Sequence, residues 1–336
     1  MNKKTLSWLV AIILFCGVIA WLTAGQFFGN SIRKEGDLYI SSSYDYQTLI
    51  DSMLPRVKYD KAFHFYADHL GLKQAFKPGH YMLKKGMSVI HVVRMLKLGW
   101  QTPVNIRIND VKTPQMLAAK LAKQLDADST EICRALLSPE VAAAVQCDSI
   151  PLFSLFLPNT YEVYWTITPK DLVVRMRKEY DRFWTKERDE LRWRSGLSRS
   201  EVITLASIVY EETAKTDEMP RIAGVYLNRL RIGMPLQADP TVKYALQDFG
   251  LRRLFHKHLT YPSPYNTYIN KGLPPSPICM PSIAAIDAVL NFEKTDYLYF
   301  CARPALDGYH NFASTLQEHN RNARAYSAEL NRRNIK

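Results

Sequence analysis

Residues 198–215 read SRSEVITLASIVYEETAK, and one acidic side chain in this run, Glu212, stands where a carboxyl group could carry proton chemistry. Ser198 and Glu201 have the spacing of a capping box that opens a helix. At about 100° per residue, Val202, Leu205, Ala206 and Val209 form an apolar stripe, with Glu212 on its flank. Ile208 and Val209 lie on the turn beneath Glu212, so its carboxyl group is expected against apolar surface at a cleft wall. Desolvation disfavours the charged form, which raises the pKa and lets the group hold a proton near neutral pH for donation to a leaving group such as a glycosidic oxygen. Glu211 projects about 100° away and is expected to face solvent. A lone Glu near a helix end is more commonly a structural hydrogen-bonder, and the pattern alone leaves both readings open.

The segments after this helix are dense in turn formers: GMPLQADPTVKY at residues 233–244, SPYNTY at 263–268 and GLPPSPI at 272–278. Gln237, Asp239, Thr241, Asn266 and Thr267 offer hydrogen-bond donors and acceptors. Tyr244, Tyr265 and Tyr268 offer flat faces, a mixture suited to stacking on and bonding to sugars. A proline-rich loop capping itself has equal standing at this point. His256, His258, His310 and His319 lack a recognised ligand spacing, so no metal site is expected.

The elements that must position these residues follow from periodicity. Val104, Ile106 and Ile108 alternate as a strand does, and Thr113-Pro114 opens a helix through Leu117, Leu121 and Leu125. From residue 103 to 336 there is no linker, low-complexity tract or repeat, so this stretch reads as one α+β domain. Residues 25–102 read as a small α+β module: a strand at 37–40, helices at 46–54 and 61–70, a strand at 81–83 behind a Pro78-Gly79 turn, and a helix at 88–98. Residues 6–24 form an uncharged apolar run, long enough to span hydrocarbon, behind a tail at residues 1–5 that carries Lys3 and Lys4. An uncleaved single-pass transmembrane helix is expected, with everything beyond it outside the cytoplasmic membrane; a cleaved signal peptide is the competing reading.

The formal net charge of +12 is dispersed rather than packed into a tract. It suits anionic neighbours of several kinds, nucleic acid, anionic lipid and cell-wall peptides among them, and chooses none. Of five cysteines, Cys16 lies in the apolar run. Cys133 and Cys147 are placed where a disulfide could form, but isolated thiols are the expected state for them and for Cys279 and Cys301.

Taken in order, LASIVYEETAK, IAGVYLNRLRIGMPLQADPTVKY, SPYNTY, GLPPSPI, YLYFCAR, GYHNF and EHN resemble the MltG/YceG-like endolytic murein transglycosylases; FLPNTYEVYW at 156–165 and the small module resemble the corresponding family segments. The resemblance implies a single-pass inner-membrane enzyme with a LysM-like module and an external, periplasmic catalytic domain that cleaves MurNAc-β-1,4-GlcNAc bonds in nascent peptidoglycan, leaving 1,6-anhydro-MurNAc ends without a cofactor. Glycan strands and the membrane are the implied partners, peptidoglycan synthases (penicillin-binding proteins) are candidates, and nucleic acid is not expected. The second Glu of the family's E-K-E-T stretch corresponds to Glu212, while Tyr210 replaces the first, which leaves a one-acid mechanism untouched. The loop residues above carry over as substrate contacts, with Asn228, Arg229, His319 and Asn320 as weaker ones. Two rivals remain at this stage: a hydrolytic muramidase using Asp239, and a non-catalytic glycan-binding scaffold. A pyridoxal-phosphate lyase is opposed by the anchor and by the lack of an evident cofactor lysine.

Overall fold

The computed structural model describes residues 29–147, 151–251 and 253–333, together with Trp8, residues 12–15, Gly17 and Ile335. The expected transmembrane segment at residues 6–24 thus falls largely outside the described residues. Among those described, no helix is long and apolar enough to cross a membrane. The architecture is mixed α+β with three two-stranded sheets, and the chain divides into two compact units.

The first unit runs to residue 106 and also takes in residues 124–127 and 161–168, two segments that the linear reading assigned to the following domain. Its elements are β1 (Gly36–Ile40), α1 (Tyr46–Met53), α2 (Asp60–His69), β2 (Gly79–Leu83) and α3 (Val89–Leu98). β1 and β2 pair antiparallel from Gly36↔Leu83 to Ile40↔Gly79, so Gly79 belongs to the strand and not to the turn expected there. Leu38, Ile40, Tyr81 and Leu83 from the strands and Leu49, Phe63, Val92 and Leu96 from the helices make one buried core. The Asp45 carboxylate caps α1 by accepting the Thr48 N–H at 2.8 Å. Asp126 returns to this unit through Ser41 Oγ at 2.7 Å and Ser42 N at 2.9 Å, which explains why its segment belongs here. β3 (Val104–Ile108) forms the second sheet with β4 (Asn159–Val163).

The second unit contains α4 (Pro114–Ala122), α5 (Ser129–Leu136), α6 (Pro169–Phe183), α7 (Lys186–Ser195), α8 (Arg199–Glu212), α9 (Met219–Arg231), α10 (Asp239–Leu246), α11 (Ile283–Leu290), the antiparallel hairpin β5 (Tyr299–Ala302) and β6 (His310–Ala313), and α12 (Leu316–Arg332). α8 is its centre. Residues 202–209 are all buried, so the helix is enclosed on every side instead of presenting one stripe. α9, α10 and α11 pack against it. Polar Ser207 survives there because its hydroxyl donates to the Thr204 carbonyl at 2.7 Å and accepts the Ile278 N–H at 3.0 Å. The four described cysteines are free thiols.

Candidate active site

Both halves of the capping box form: the Ser198 N–H donates to Glu201 Oε2 at 2.7 Å, and the Glu201 N–H to Ser198 Oγ at 3.2 Å. Fourteen residues on, α8 stops as Thr213 turns extended (φ −147°, ψ 142°), which leaves Glu212 on the last turn. Its side chain faces a cavity of about 330 Å³ walled by α9, α10, the loop before α10 and the β5–β6 hairpin. Tyr226 O–H donates to Glu212 Oε1 at 2.7 Å.

The residue as a whole is only half-buried, yet enough protein surrounds the carboxyl group for desolvation to dominate, and its pKa is pushed up to about 7. The nearby Asp239 charge acts in the same direction, while the Tyr226 hydroxyl, Lys243 and Arg229 oppose it. The C-terminal end of a helix dipole also disfavours a carboxylate. Because the Tyr226 hydrogen bond favours the ionised form, Tyr226→Phe is expected to move the alkaline limb of any Glu212-dependent activity upward by roughly one pH unit. A pH–rate profile of the variant checks this.

Glu211 departs from expectation. It is bound by Lys112 Nζ at 2.5 Å and only partly exposed, because the chain just before α4 lies alongside it.

Of the residues expected to contact substrate, Gln237, Asp239 and Tyr268 line the Glu212 cavity. Tyr268 O–H donates to Asp239 Oδ1 at 2.5 Å, and burial followed by that bond holds the phenol well above its usual pKa. Gln237 sits in the left-handed region (φ 51°), a conformation that costs a non-glycine residue about 1–2 kcal/mol. Thr241, Thr267 and Asn266 are buried and occupied elsewhere. Thr267 Oγ1 accepts the Ala238 N–H at 3.0 Å, and Thr241 Oγ1 donates to the Ala238 carbonyl at 2.6 Å. With the Thr241 proton committed, the 2.9 Å contact between the hydroxyls must run from Thr267 to Thr241. Asn266 Nδ2 donates to the Leu259 and Tyr261 carbonyls at 3.0 and 2.9 Å.

These three residues hold the walls in shape instead of forming them. Thr241→Val, isosteric but unable to donate, is expected to cost about 1–3 kcal/mol in chemical denaturation and to lower activity through Gln237 and Asp239.

Tyr244 and Tyr265 pack ring to ring at 4.7 Å, with Tyr265 Oη and Ser276 Oγ hydrogen-bonded at 2.7 Å, and neither tyrosine is among the residues that line the cavity. Asn228 Nδ2 donates to the Thr295 and Tyr297 carbonyls at 2.7 and 3.0 Å, tying α9 to the chain that enters β5. Asn320 is exposed on α12, one residue beyond His319, which does line the cavity.

The cavity also holds Arg229 and His319, expected as weaker contacts, and Tyr226, Phe300 and His310, which were not expected to contact substrate. Arg229 is buried, donates from Nε to the Leu298 carbonyl and from Nη1 to the Leu236 carbonyl, both at 2.6 Å, and has its pKa lowered by burial. His319 stacks on Tyr299 at 5.3 Å, and burial, then Arg229, lowers its pKa. The GYHNF and EHN motifs were the signals for the two histidines.

The arrangement can therefore store a proton on a shielded carboxyl group, beside hydrogen-bonding groups able to hold a polar substrate. Residues 39–325 match the model of the YceG-like family. An endolytic murein transglycosylase of Bacillus subtilis is 32% identical over 292 residues, 82% of this chain and 79% of that protein. The endolytic murein transglycosylase of Streptococcus pneumoniae strain D39 is 30% identical, with 95% of this chain and 66% of that longer protein aligned. The crystal structure of a YceG-like protein from Listeria monocytogenes superposes with a TM-score of 0.57 at 29% identity, covering 86% of this chain and 99% of the other. The chain belongs to the YceG-like family.

Proposed function

We propose that the protein is an endolytic murein transglycosylase in which Glu212 is the single acid/base. One observation carries the reading: the Glu212 carboxyl group, its pKa pushed up by burial, opens onto a cavity of about 330 Å³ lined largely by polar side chains. Glu212 delivers its proton to the glycosidic oxygen as the C1–O bond breaks. The resulting carboxylate then takes the proton of the C6 hydroxyl on the same sugar as that oxygen bonds to C1, closing the 1,6-anhydro ring. No water is consumed, and Glu212 ends protonated, ready for the next bond. The intramolecular nucleophile gains the proximity advantage of an effective molarity far above that of a free reactant.

The relatives named endolytic murein transglycosylases support this assignment, as does the match across both units. The reading includes an anchor at residues 6–24 in the cytoplasmic membrane, with both units external and the first LysM-like. Growing glycan strands are the substrate, and the synthases that extend them are the natural neighbours.

Asp239 lines the same cavity and favours one second reading, a muramidase in which that carboxylate activates water. Mass spectrometry of fragments released from uncrosslinked glycan by the full-length protein in detergent separates the two. Anhydro ends from the wild type and none from Glu212→Gln support the transglycosylase. Reducing ends transfer the assignment to the hydrolase, and no release by either protein leaves a glycan-binding scaffold.

A further inference from the structure

Glu218 is a buried acid with no part in the proton chemistry assigned to Glu212. It is 2% exposed, stands at the start of α9 and caps no backbone N–H of that helix. Both its oxygens are taken by one residue of β6: the His310 backbone N–H donates to Oε1 at 2.9 Å, and His310 Nδ1 lies 2.7 Å from Oε2. A buried ion costs several kcal/mol unless it is paired and fully hydrogen-bonded, so such a group demands a reason. Holding the hairpin against the turn after α8 is not a sufficient one. Tyr309 O–H already reaches Asp217 at 3.1 Å beside it, and Lys215 Nζ lies over the Tyr309 ring at 4.8 Å.

What Glu218 settles is the tautomer of His310. A carboxylate only accepts, so Nδ1 carries a proton, and in the neutral ring the lone pair then falls on Nε2. Phe300 packs edge-to-face on the imidazole at 5.3 Å and sets its plane. His310 lines the Glu212 cavity, and among the described residues Nε2 has no hydrogen-bond partner from the protein.

We propose that the Glu218–His310 dyad presents Nε2 as a fixed acceptor for a hydroxyl of the sugar bound beside Glu212, with His310 touching substrate and Glu218 acting as its positioning residue. The inference rests on the saccharide-cleaving reading above. It adds to it the group that orients the ring, and the polarity of that group.

The test uses the full-length protein in detergent, steady-state cleavage of uncrosslinked glycan, and calorimetric binding of glycan fragments. His310→Asn keeps an amide N–H where Nδ1 stood and so leaves Glu218 satisfied, but removes the atom at the Nε2 position. It is expected to lower kcat/KM at least tenfold and weaken fragment binding, with Tm nearly unchanged. His310→Gln, whose carbonyl oxygen reaches the Nε2 position, should recover part of the loss. Glu218→Gln offers its own N–H to Nδ1 and thereby forces the opposite tautomer, so it should be impaired like His310→Asn although His310 is intact. Binding and cleavage by His310→Asn at wild-type levels overturn the proposal; if that variant does not fold, Glu218→Gln decides by the same criterion. Wild-type protein that binds fragments without cleaving them sinks the transglycosylase reading alone, since loss of binding in the variants still upholds the dyad. Wild-type protein that does neither overturns both.

Discussion

Glu212→Gln is expected to abolish measurable anhydro-product release, a fall of roughly a thousandfold in kcat, and at the same time to make the protein more stable above neutral pH. The first half follows from general acid–base catalysis, which contributes about 10²–10⁴-fold. The amide can neither donate a proton to the glycosidic oxygen nor take one from the C6 hydroxyl. The second half follows from linkage. Burial raises the Glu212 pKa from 4.5 to about 7, so the folded state holds this proton more tightly than the unfolded chain does. Between those values the unfolded chain ionises first, and stability falls as pH rises through the window. Glutamine cannot ionise and still accepts the Tyr226 hydroxyl, so the variant lacks this loss. Chemical denaturation should find it about 1–3 kcal/mol more stable than wild type at pH 8, with the difference vanishing near pH 4.5. A variant less stable at pH 8 would mean that Glu212 is a structural hydrogen-bonder. The opposite result means that the fold tolerates an unfavourable charge at the one position where the proposed reaction needs it.

Activity of the wild type should respond in the same sense. The acid form is required for bond cleavage, so kcat/KM should fall as pH rises through about 7.

How much of this was legible in the sequence depends on how local each cause is. Glu212 could be singled out because the capping box and the 3.6-residue period are properties of one segment, and the structure keeps the capping box and the helix, though not the single stripe. Tyr226, 14 residues further on, arrives beside it only through the packing of α9 on α8, which no pattern within either helix encodes. The full enclosure of α8 was not legible in the apolar stripe alone, because the helix also carries polar Ser207, which is satisfied internally by its own helix and by Ile278. Thr241, Thr267 and Asn266 illustrate a real ambiguity. A polar side chain in a turn-rich loop can point at substrate or at the backbone that shapes the loop, and only its tertiary partners decide. Here they are one another and the backbone around residues 238 and 259–261. Glu211 was expected in solvent because helix geometry says where a residue points and not what lies there; Lys112 does. Segments 124–127 and 161–168 were assigned to one domain because contiguity is all that a linear reading has.

Gly224→Ala is expected to destabilise the protein, against the usual sign of that substitution within a helix. Glycine at a mid-helix position costs about 0.5–1 kcal/mol relative to alanine, so an ordinary Gly→Ala change inside α9 would stabilise by that amount. Gly224 is not at an ordinary position. A Cβ built there would stand 2.3 Å from the Glu293 carbonyl oxygen, a backbone atom that cannot swing aside as a side chain can. The chain at that point is also pinned, since the Glu293 N–H donates to the Pro220 carbonyl at 2.9 Å and the Glu293 side chain meets Arg221 Nε at 2.9 Å. Relief therefore requires α9 and the strand-entry chain to separate. The overpacking cost of about 1–3 kcal/mol, together with lost hydrogen bonds at about 1 kcal/mol each, exceeds the helix-propensity gain. The damage should not remain local: Asn228 and Arg229, one turn on, bind the carbonyls of Thr295, Tyr297 and Leu298, and Tyr226 and Arg229 are walls of the Glu212 cavity. Thermal unfolding of full-length protein should show Tm lowered by several degrees, and glycan cleavage should fall with it, even though no group that touches sugar has been changed. An unchanged or higher Tm would mean that the two backbones part without cost, and that the cavity's shape does not depend on their close approach.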